Sequence, residues 1–160
     1  MAAGRVGGGW PERLVEHRRR ALWAAAGRLI FVDTSFWVAL MATRDGHHAE
    51  ARELLGRHGN DRLVTTNHVR GEAWTFIRRR YGHRPAVSLL DALHDSRRAS
   101  VSYVTPESED MALRWLRRRD EREYSFVDAT SFAFMRTSKV SQVLTFDDDF
   151  AAAGFEVMRL

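Results

Sequence analysis

From residue 28 onward, short apolar runs alternate with longer stretches in which apolar and charged positions follow helical spacing. A short apolar run between charged or turn-forming residues is typical of a buried strand. Such runs predict strands at residues 28–33, 63–66, 101–105 and 142–146, and an edge strand at residues 155–160.

The stretches between these runs have the period of amphipathic helices. They predict helices at residues 34–42, 47–58, 67–80, 85–94, 106–120 and 126–135. Asp33, Asn67 and Ser125 stand where N-cap residues are expected, and Pro85 and Pro106 suit first helical turns. The alternation predicts an α/β fold of three layers, with helices on both faces of a mostly parallel sheet of four or five strands.

The first 27 residues differ in composition from the rest of the chain. They are rich in Gly and Arg, and we expect a disordered or loosely helical extension before a single domain at residues 28–160. The apolar patch at residues 21–26 resembles part of a signal sequence, but Arg28 interrupts the apolar run. No apolar run in the sequence approaches the roughly 20 residues needed to span a bilayer.

The net charge says little about the surface of the domain. The chain carries a formal charge of +4, but residues 1–30 hold six Arg and two Glu, which leaves 19 basic and 19 acidic side chains in the remainder. Local arginine runs are therefore the candidate contacts for an anionic partner. The sequence contains no Cys, which excludes disulfides, thiolate zinc sites and cysteine nucleophiles.

Four acidic residues that are far apart in sequence are predicted to meet at one edge of the sheet. They are Asp33 after the first strand, Glu72 in the helix after the second strand, Asp128 in the first turn of an apolar helix, and Asp147 after the fourth strand. Ligands bind at this edge of open α/β sheets, beyond the carboxyl ends of the strands. Asp33 and Asp128 have an alternative role as helix caps, which the sequence leaves open.

Carboxylates gathered at one edge need a cation or open water. Two unit charges ~4 Å apart repel by about 4 kcal/mol at an effective dielectric constant near 20. Arg70 is the one basic residue beside any of the four acids, so pairing with side chains explains little of the cluster. Mg²⁺ or Mn²⁺, which take oxygen ligands, suit it better, and seven scattered His support no zinc site.

Four segments carry a resemblance to a known family. They are FVDTS at residues 31–35, NHVRGE at 67–72, YSFVDATSF at 124–132 and LTFDDDF at 144–150. In these segments the chain resembles the PIN-domain ribonucleases, and among them the VapC toxins of bacterial toxin–antitoxin pairs. The resemblance covers residues 29–160.

The resemblance implies a metal-dependent endoribonuclease that cleaves structured RNA, either transfer RNA or a loop of large-subunit ribosomal RNA, and so inhibits translation. It assigns catalysis to the four acids and direct contacts with Mg²⁺ or Mn²⁺ to Asp33, Asp128 and Asp147, while Glu72 orients water or a second ion. Weaker candidates for supporting contacts are Thr34, Ser35, Thr145 and Asp149. Hydrolysis by an activated water leaves a 5′-phosphate and a 3′-hydroxyl.

Candidate RNA contacts lie mainly in the arginine runs. Basic side chains hold phosphates and aromatic rings stack on bases. The candidates are Arg78, Arg79, Arg80, Arg118 and Tyr124, with Trp37 as a further stacking residue. The alternative for each run is a solvated helix end, stabilised by the helix dipole. The family further implies a homodimer in the cytoplasm and a VapB-like antitoxin that inserts a basic side chain into the acidic site.

Two other functions remain compatible with the sequence. The first is a different Mg²⁺-dependent enzyme that hydrolyses phosphoryl groups. An aspartyl-phosphate phosphatase is disfavoured, because it would have a second Asp two residues after Asp33, where Ser35 stands. The second is a catalytically inactive PIN-like module that only binds RNA or an antitoxin, and the presence of all four acids disfavours it.

Overall fold

The computed structural model describes residues 27–160, and the predicted extension at residues 1–27 lies outside the described residues except for Gly27. The described residues form five strands and seven helices. The strands are β1 (Leu29–Val32), β2 (Arg62–Thr66), β3 (Ala99–Ser102), β4 (Gln142–Leu144) and β5 (Glu156–Val157). The helices are α1 (Thr34–Met41), α2 (His48–Arg57), α3 (Asn67–Arg80), α4 (His83–Asp95), α5 (Pro106–Leu116), α6 (Phe126–Thr137) and α7 (Asp149–Ala152). None of these helices is long and apolar enough to cross a bilayer.

The five strands run parallel in one sheet with the order β3-β2-β1-β4-β5. The central strand is β1, in which Phe31 pairs with Val64 of β2 and with Val143 of β4. The predicted α/β fold with a mostly parallel sheet is therefore confirmed, with five strands in the sheet.

The chain crosses the sheet in two directions. The connections from β1 through β2 to β3 run toward one edge, and those from β3 through β4 to β5 run toward the other. Because crossovers between parallel strands are right-handed, α1–α4 cover one face and α5–α7 the opposite face. Consistent with this, α1 packs on α2 and α3, α3 packs on α4, and α5 packs on α6. The two directions diverge between β1 and β4, the position at which ligands bind in such sheets.

The hydrophobic core includes both faces of β1. Ile30, Phe31 and Val32 are fully buried, and successive strand residues point to opposite faces, so this strand contributes to both layers. The ring of Phe31 lies 5.9 Å from that of Phe134 and 6.1 Å from that of Phe150, measured between centroids. Since Phe150 directly follows the run of three aspartates, its packing determines where the turn with those aspartates lies.

The predicted N-cap of the helix after β2 is wrong. Thr66 caps α3 by accepting a hydrogen bond from Val69 N at 3.2 Å, and Asn67 is the first helical residue. The Asn67 side chain instead accepts a bond from Val104 N at 2.8 Å, just beyond β3. It therefore satisfies a backbone donor from a distant segment, which the local sequence does not reveal.

Two predicted boundaries are also wrong. The third strand begins at Ala99, two residues early, because β3 pairs with β2 from Ala99 opposite Leu63. The helix predicted to reach residue 120 ends at Leu116, and the chain is continuously exposed over residues 117–123. The sequence interpretation also omitted α7, a single turn. The other predicted elements are present, with ends shifted by at most three residues.

We expect Phe150→Ala to be strongly destabilising. The ring is fully buried and contacts the rings of Phe31, Phe132 and Phe155 at centroid distances of 5.0 to 6.3 Å. Loss of a buried Phe costs about 3–5 kcal/mol in the free energy of unfolding, which urea denaturation measures. Tyr103→Ala is the control, since Tyr103 is 54% exposed, and should cost under about 1 kcal/mol. Similar losses from both variants would contradict the place of Phe150 in the core.

Candidate active site

Five carboxylates lie at the edge of the sheet where the crossovers diverge, and we call them the acidic cluster. Asp33 follows β1 directly, Asp147 and Asp149 follow β4, Asp128 lies in the first turn of α6, and Glu72 lies in the second turn of α3. The structure thus places all four predicted acids at this edge, together with Asp149.

Asp33 is a buried carboxylate held by hydroxyl and amide groups. Its Oδ2 accepts hydrogen bonds from Ser35 N at 3.0 Å, Ser35 Oγ at 2.7 Å and Thr145 Oγ1 at 3.0 Å. The bond from Ser35 N caps α1, as the sequence predicts. Asp33 is only 4% exposed, so one residue is both a helix cap and a member of the acidic cluster.

The same two hydroxyls hold the backbone of the turn after β4. Ser35 Oγ accepts a bond from Phe146 N at 2.9 Å, and Thr145 Oγ1 accepts one from Asp147 N at 3.0 Å. A hydroxyl can donate one bond and accept others, so each links a backbone donor of this turn to the Asp33 carboxylate. The position of Asp147 therefore depends on Asp33.

Asp128 combines a structural bond with a place in the cluster. Ser125 Oγ accepts a bond from Asp128 N at 3.0 Å, and Asp128 Oδ2 accepts one from Ser125 N at 2.8 Å. This reciprocal pair is a capping box with Asp in the position of Glu. The two roles that the sequence left as alternatives are thus compatible in one side chain.

Glu72 bonds to a hydroxyl group instead of a base. Its Oε2 accepts a hydrogen bond from Thr34 Oγ1 at 2.6 Å, which links α3 to the first residue of α1. Arg70, its basic neighbour in sequence, has its guanidinium carbon 5.8 Å from the ring centroid of Tyr103. Within residues 27–160, Glu72 forms no ion pair.

Three carboxylates are close enough to share a cation. One oxygen each of Asp128, Asp147 and Asp149 lies within 4.8 Å of the other two. Asp149 N donates to Asp147 Oδ1 at 2.8 Å, which holds these two residues together. All the donor atoms of this group are carboxylate oxygens, the type of ligand that Mg²⁺ and Mn²⁺ prefer. Asp33 is adjacent to this group but outside it.

Burial and mutual repulsion raise the pKa values in the cluster. Burial raises the pKa of Asp128 to about 6, and the charges of Asp33 and Asp147 add to the rise, while hydrogen bonds oppose it. Partial burial raises the pKa of Glu72, with a further rise from Asp128 and Asp147. Burial also raises the pKa of Asp33, although its hydrogen bonds oppose the shift. A cation among these groups would favour their ionised forms.

An open groove of about 990 Å³ lies beside the cluster, between α3 and α6. Its lining combines aromatic, basic and polar side chains: Asn67, His68, Gly71, Glu72, Thr75, Phe76, Arg79, Arg80, Phe126 and Val127. Phe76 and Phe126 are 46% and 41% exposed, so their rings are accessible from solvent. Two of the predicted RNA contacts, Arg79 and Arg80, therefore border the same groove as Glu72.

The other predicted RNA contacts lie elsewhere. Arg78 is exposed on α3 but does not line the groove, and Arg118 lies in the exposed segment after α5. The ring of Tyr124 packs edge-on against Trp115 at a centroid distance of 4.6 Å. The expectation that Trp37 stacks on a base is wrong, because Trp37 is 4% exposed.

Sequence interpretation missed one residue that contacts the cluster. Arg122 Nε donates a hydrogen bond to Asp149 Oδ1 at 2.5 Å. Arg122 belongs to the exposed segment 117–123, in which every residue is charged. Such a segment has no periodic pattern, so no local signal identifies the arginine that turns toward the acids.

Comparisons with known proteins identify relatives of this chain. A family model for the PIN domain matches residues 30–156. The protein named 23S rRNA-specific endonuclease VapC20, from two strains of Mycobacterium tuberculosis, is 49% identical over 131 residues, which are 82% of this chain and 98% of the relative. A crystal structure of Mycobacterium tuberculosis VapC20, described as a sarcin–ricin loop cleaving toxin, matches with a TM-score of 0.77 and 49% identity. That match covers 82% of this chain and 99% of the other.

We expect the stability of the metal-free protein to depend on pH through Asp128. In the folded protein the pKa of this carboxyl is about 6, whereas in the unfolded chain it has its ordinary pKa of 3.8. Between these values the folded state binds more protons, so the contribution of Asp128 to the free energy of unfolding falls as the pH rises. In EDTA, Asp128→Asn should therefore have a higher melting temperature than the wild type, and this difference should be larger at about pH 7.5 than at about pH 4.5.

The Asn side chain retains an oxygen that can accept the bond from Ser125 N, so this variant removes the titration and keeps the cap. Asp148→Asn is the matched control, because the Asp148 side chain is 84% exposed. Its melting temperature should be close to that of the wild type at both pH values, because exposed side chains contribute little to stability. A difference between Asp128→Asn and the wild type that is the same at both pH values would contradict the raised pKa of Asp128.

Proposed function

This chain belongs to the PIN-domain family and is a VapC-like endoribonuclease, and we propose that it is a toxin that cuts a loop of large-subunit ribosomal RNA with the help of a divalent cation. The observation that carries the proposal is the acidic cluster, in which carboxylates from four separate parts of the chain meet where the crossovers diverge. Their repulsion opposes folding of the metal-free protein, and perturbed carboxylates of this kind are concentrated at functional sites.

We assign Mg²⁺ or Mn²⁺ to Asp128 and Asp147, with Asp33 as the third ligand and Asp149 as a further contributor. The donor set supports a hard cation, because the closest group of ligand atoms, in Asp128, Asp147 and Asp149, consists of carboxylate oxygens and Asp33 adds a fourth carboxylate beside it. When bound, such a cation lowers the pKa of water and neutralises developing charge on the phosphoryl oxygens.

The side chains of the chain itself supply position and polarity. Ser35 and Thr145 hold Asp33 and the turn that carries Asp147, so the ligands keep their arrangement before RNA arrives. Glu72 borders both the groove and the other acids, and we assign it to orienting the attacking water. Attack by water leaves a 5′-phosphate and a 3′-hydroxyl, so the reaction needs no side-chain nucleophile.

We propose that the RNA substrate lies along the groove beside Glu72. Arg79 and Arg80 supply positive charge for phosphates, and the exposed rings of Phe76 and Phe126 supply surfaces for stacking. A loop with unstacked bases suits such a groove better than a regular duplex, because the bases of a duplex are already stacked. Additional contacts outside the groove are assigned to Arg78, Arg118 and Tyr124.

The relatives support a ribosomal target. VapC20 is named for 23S rRNA, and its crystal structure is described by cleavage of the sarcin–ricin loop. The identity of 49% extends over nearly the whole relative, so we propose the same loop as the substrate of this chain. Cleavage there would inhibit translation, which places the activity in the cytoplasm.

An antitoxin and a second copy of the chain are further parts of the proposal. A VapB-like antitoxin would neutralise the enzyme by inserting an Arg or Lys among the carboxylates, since charge-assisted hydrogen bonds to carboxylates are strong. The homodimer is proposed from membership of the VapC group.

We expect Asp147→Asn to lower kcat/KM for RNA cleavage by about a hundredfold or more, because it removes a ligand that helps to stabilise charge in the transition state. Cleavage by each variant is assayed with Mg²⁺ and again with Mn²⁺, and EDTA should abolish cleavage by the wild type. Calorimetric titration with Mn²⁺ should show weaker binding to Asp147→Asn, independently of activity.

Asp148→Asn is the matched control in the same turn, and it should retain wild-type cleavage because the Asp148 side chain is 84% exposed. Asp33→Asn should lose activity as Asp147→Asn does and keep its fold, since an amide oxygen can accept the bonds from Ser35 and Thr145. Full activity in Asp33→Asn or Asp147→Asn would refute the assignment of the metal site.

We expect brief expression of the wild-type chain in bacteria to create a new 5′ end in the sarcin–ricin loop of 23S rRNA, and expression of Asp147→Asn to create none. Sequencing of 5′ ends across cellular RNA locates the cut. Purified protein should also cut an isolated hairpin with this loop, but not a hairpin with a substituted loop. Cuts confined to transfer RNA would refute the ribosomal target, and no cut in any RNA would favour the inactive binding module.

A further inference from the structure

A single arginine lies against the acidic cluster. Arg122 belongs to the segment between α5 and α6, and its Nε–H group donates to Asp149 Oδ1. An oxygen of Asp149 lies within 4.8 Å of ligand atoms of Asp128 and Asp147. The Arg122 side chain is 42% exposed, whereas that of Asp149 is 14% exposed. The guanidinium group is thus located between the carboxylates and solvent.

The other arginines of the segment make different contacts. Arg119 Nη1 pairs with Glu121 at 3.1 Å, and its guanidinium carbon lies 5.8 Å from the ring centroid of Trp115. Within residues 27–160, Arg122 is the basic residue that forms an ion pair with a member of the acidic cluster. The contact is therefore specific to one position in a run of similar residues.

The bond to Asp149 uses only part of the hydrogen-bonding capacity of Arg122. A guanidinium group has five N–H donors in a planar arrangement that matches the oxygens of a phosphate. Nε–H is bound to Asp149, and in the described part of the chain the two terminal amino groups have no protein partner. They are available to a ligand that approaches from solvent.

RNA binding at this site requires positive charge beside the carboxylates. A cation can neutralise the phosphate at the cleaved bond, but the neighbouring phosphates still meet the negative field of five acidic side chains. Residues 31–160 are formally neutral, so these residues form no general basic surface that offsets the repulsion. An arginine at the border of the cluster offsets it locally and offers two donors to one phosphate.

We propose that Arg122 binds the RNA phosphate next to the one that is cut, and that Asp149 is a positioning residue that holds the guanidinium group at the acidic cluster. This inference rests on the proposed ribonuclease function. The alternative is that the ion pair is purely structural. Exposed ion pairs contribute little to stability, however, and residues 117–123 are exposed, so little of this segment is packed against the domain.

The test compares Arg122→Gln, Arg122→Lys and the control Arg119→Gln, in the wild-type background for cleavage and in the Asp33→Asn background for binding. Cleavage of a sarcin–ricin loop hairpin gives kcat and KM, and fluorescence anisotropy gives RNA affinity at several salt concentrations. For Arg122→Gln we expect a loss of about tenfold or more in kcat/KM, mainly through KM. We also expect the slope of log affinity against log salt to fall by about 0.7 to 0.9, the value for one phosphate contact.

Arg122→Lys should recover part of this affinity, because it keeps the charge but not the paired donors. Arg119→Gln should match the wild type in every measurement. Asp149→Asn should weaken RNA binding in the same direction as Arg122→Gln. In EDTA, where Asp149 has no metal to hold, the double variant should bind RNA no more weakly than Arg122→Gln alone, since both changes then remove one contact. Thermal melting of each variant verifies that the fold is retained.

Wild-type KM and salt slope in Arg122→Gln would overturn the inference, provided that the wild type cuts the hairpin. So would a change confined to Mn²⁺ affinity, measured by calorimetry, because it would show that Arg122 acts only on the metal site. If the wild type itself cuts no RNA, the proposed function fails and this inference fails with it. The two failures are thus distinguished by the activity of the wild type.

Discussion

The active-site edge depends on a buried carboxylate that is held by hydroxyl groups and not by a base. An Arg or Lys beside Asp33 would satisfy its hydrogen bonds but would also neutralise its charge. Ser35 and Thr145 provide the hydrogen bonds and leave the negative charge in place. Glu72 follows the same rule, since its partner is the hydroxyl of Thr34. The charge is therefore retained for a cation, at the expense of stability in the metal-free protein.

The aromatic core behind the cluster opposes this repulsion. Phe31 lies two residues before Asp33 and Phe150 directly follows Asp149, and the two rings pack against each other. Phe132, one turn after Asp128, packs edge-on against Phe150 at 5.0 Å. Three of the chain segments that carry acids are thus anchored in one set of buried rings. A densely packed core resists the displacements by which like charges would otherwise separate.

The charge distribution also indicates how an RNA is selected. Residues 31–160 are formally neutral and attract nucleic acid weakly in general, so the proposed RNA binding relies on a shaped groove and a few placed arginines. The groove beside Glu72 has Arg79 and Arg80 on its border, and Arg122 lies at the acidic cluster itself. Recognition by few charged contacts is suited to a ribonuclease that must select its substrate among many RNAs.

The sequence by itself determined the order of strands and helices along the chain, because apolar periodicity and capping patterns are local. It also determined which acids face one edge of the sheet, because Asp33 and Asp128 stand at the ends of predicted elements. It did not determine which side chains meet across the fold. Only the tertiary structure decided that Asn67 bonds to the segment after β3, that Asp149 joins two other acids, and that Arg122 turns toward them. Except for Asp147 and Asp149, which are two positions apart, these contacts join residues 21 to 37 positions apart. They depend on how strands pair and where an unpatterned segment folds back.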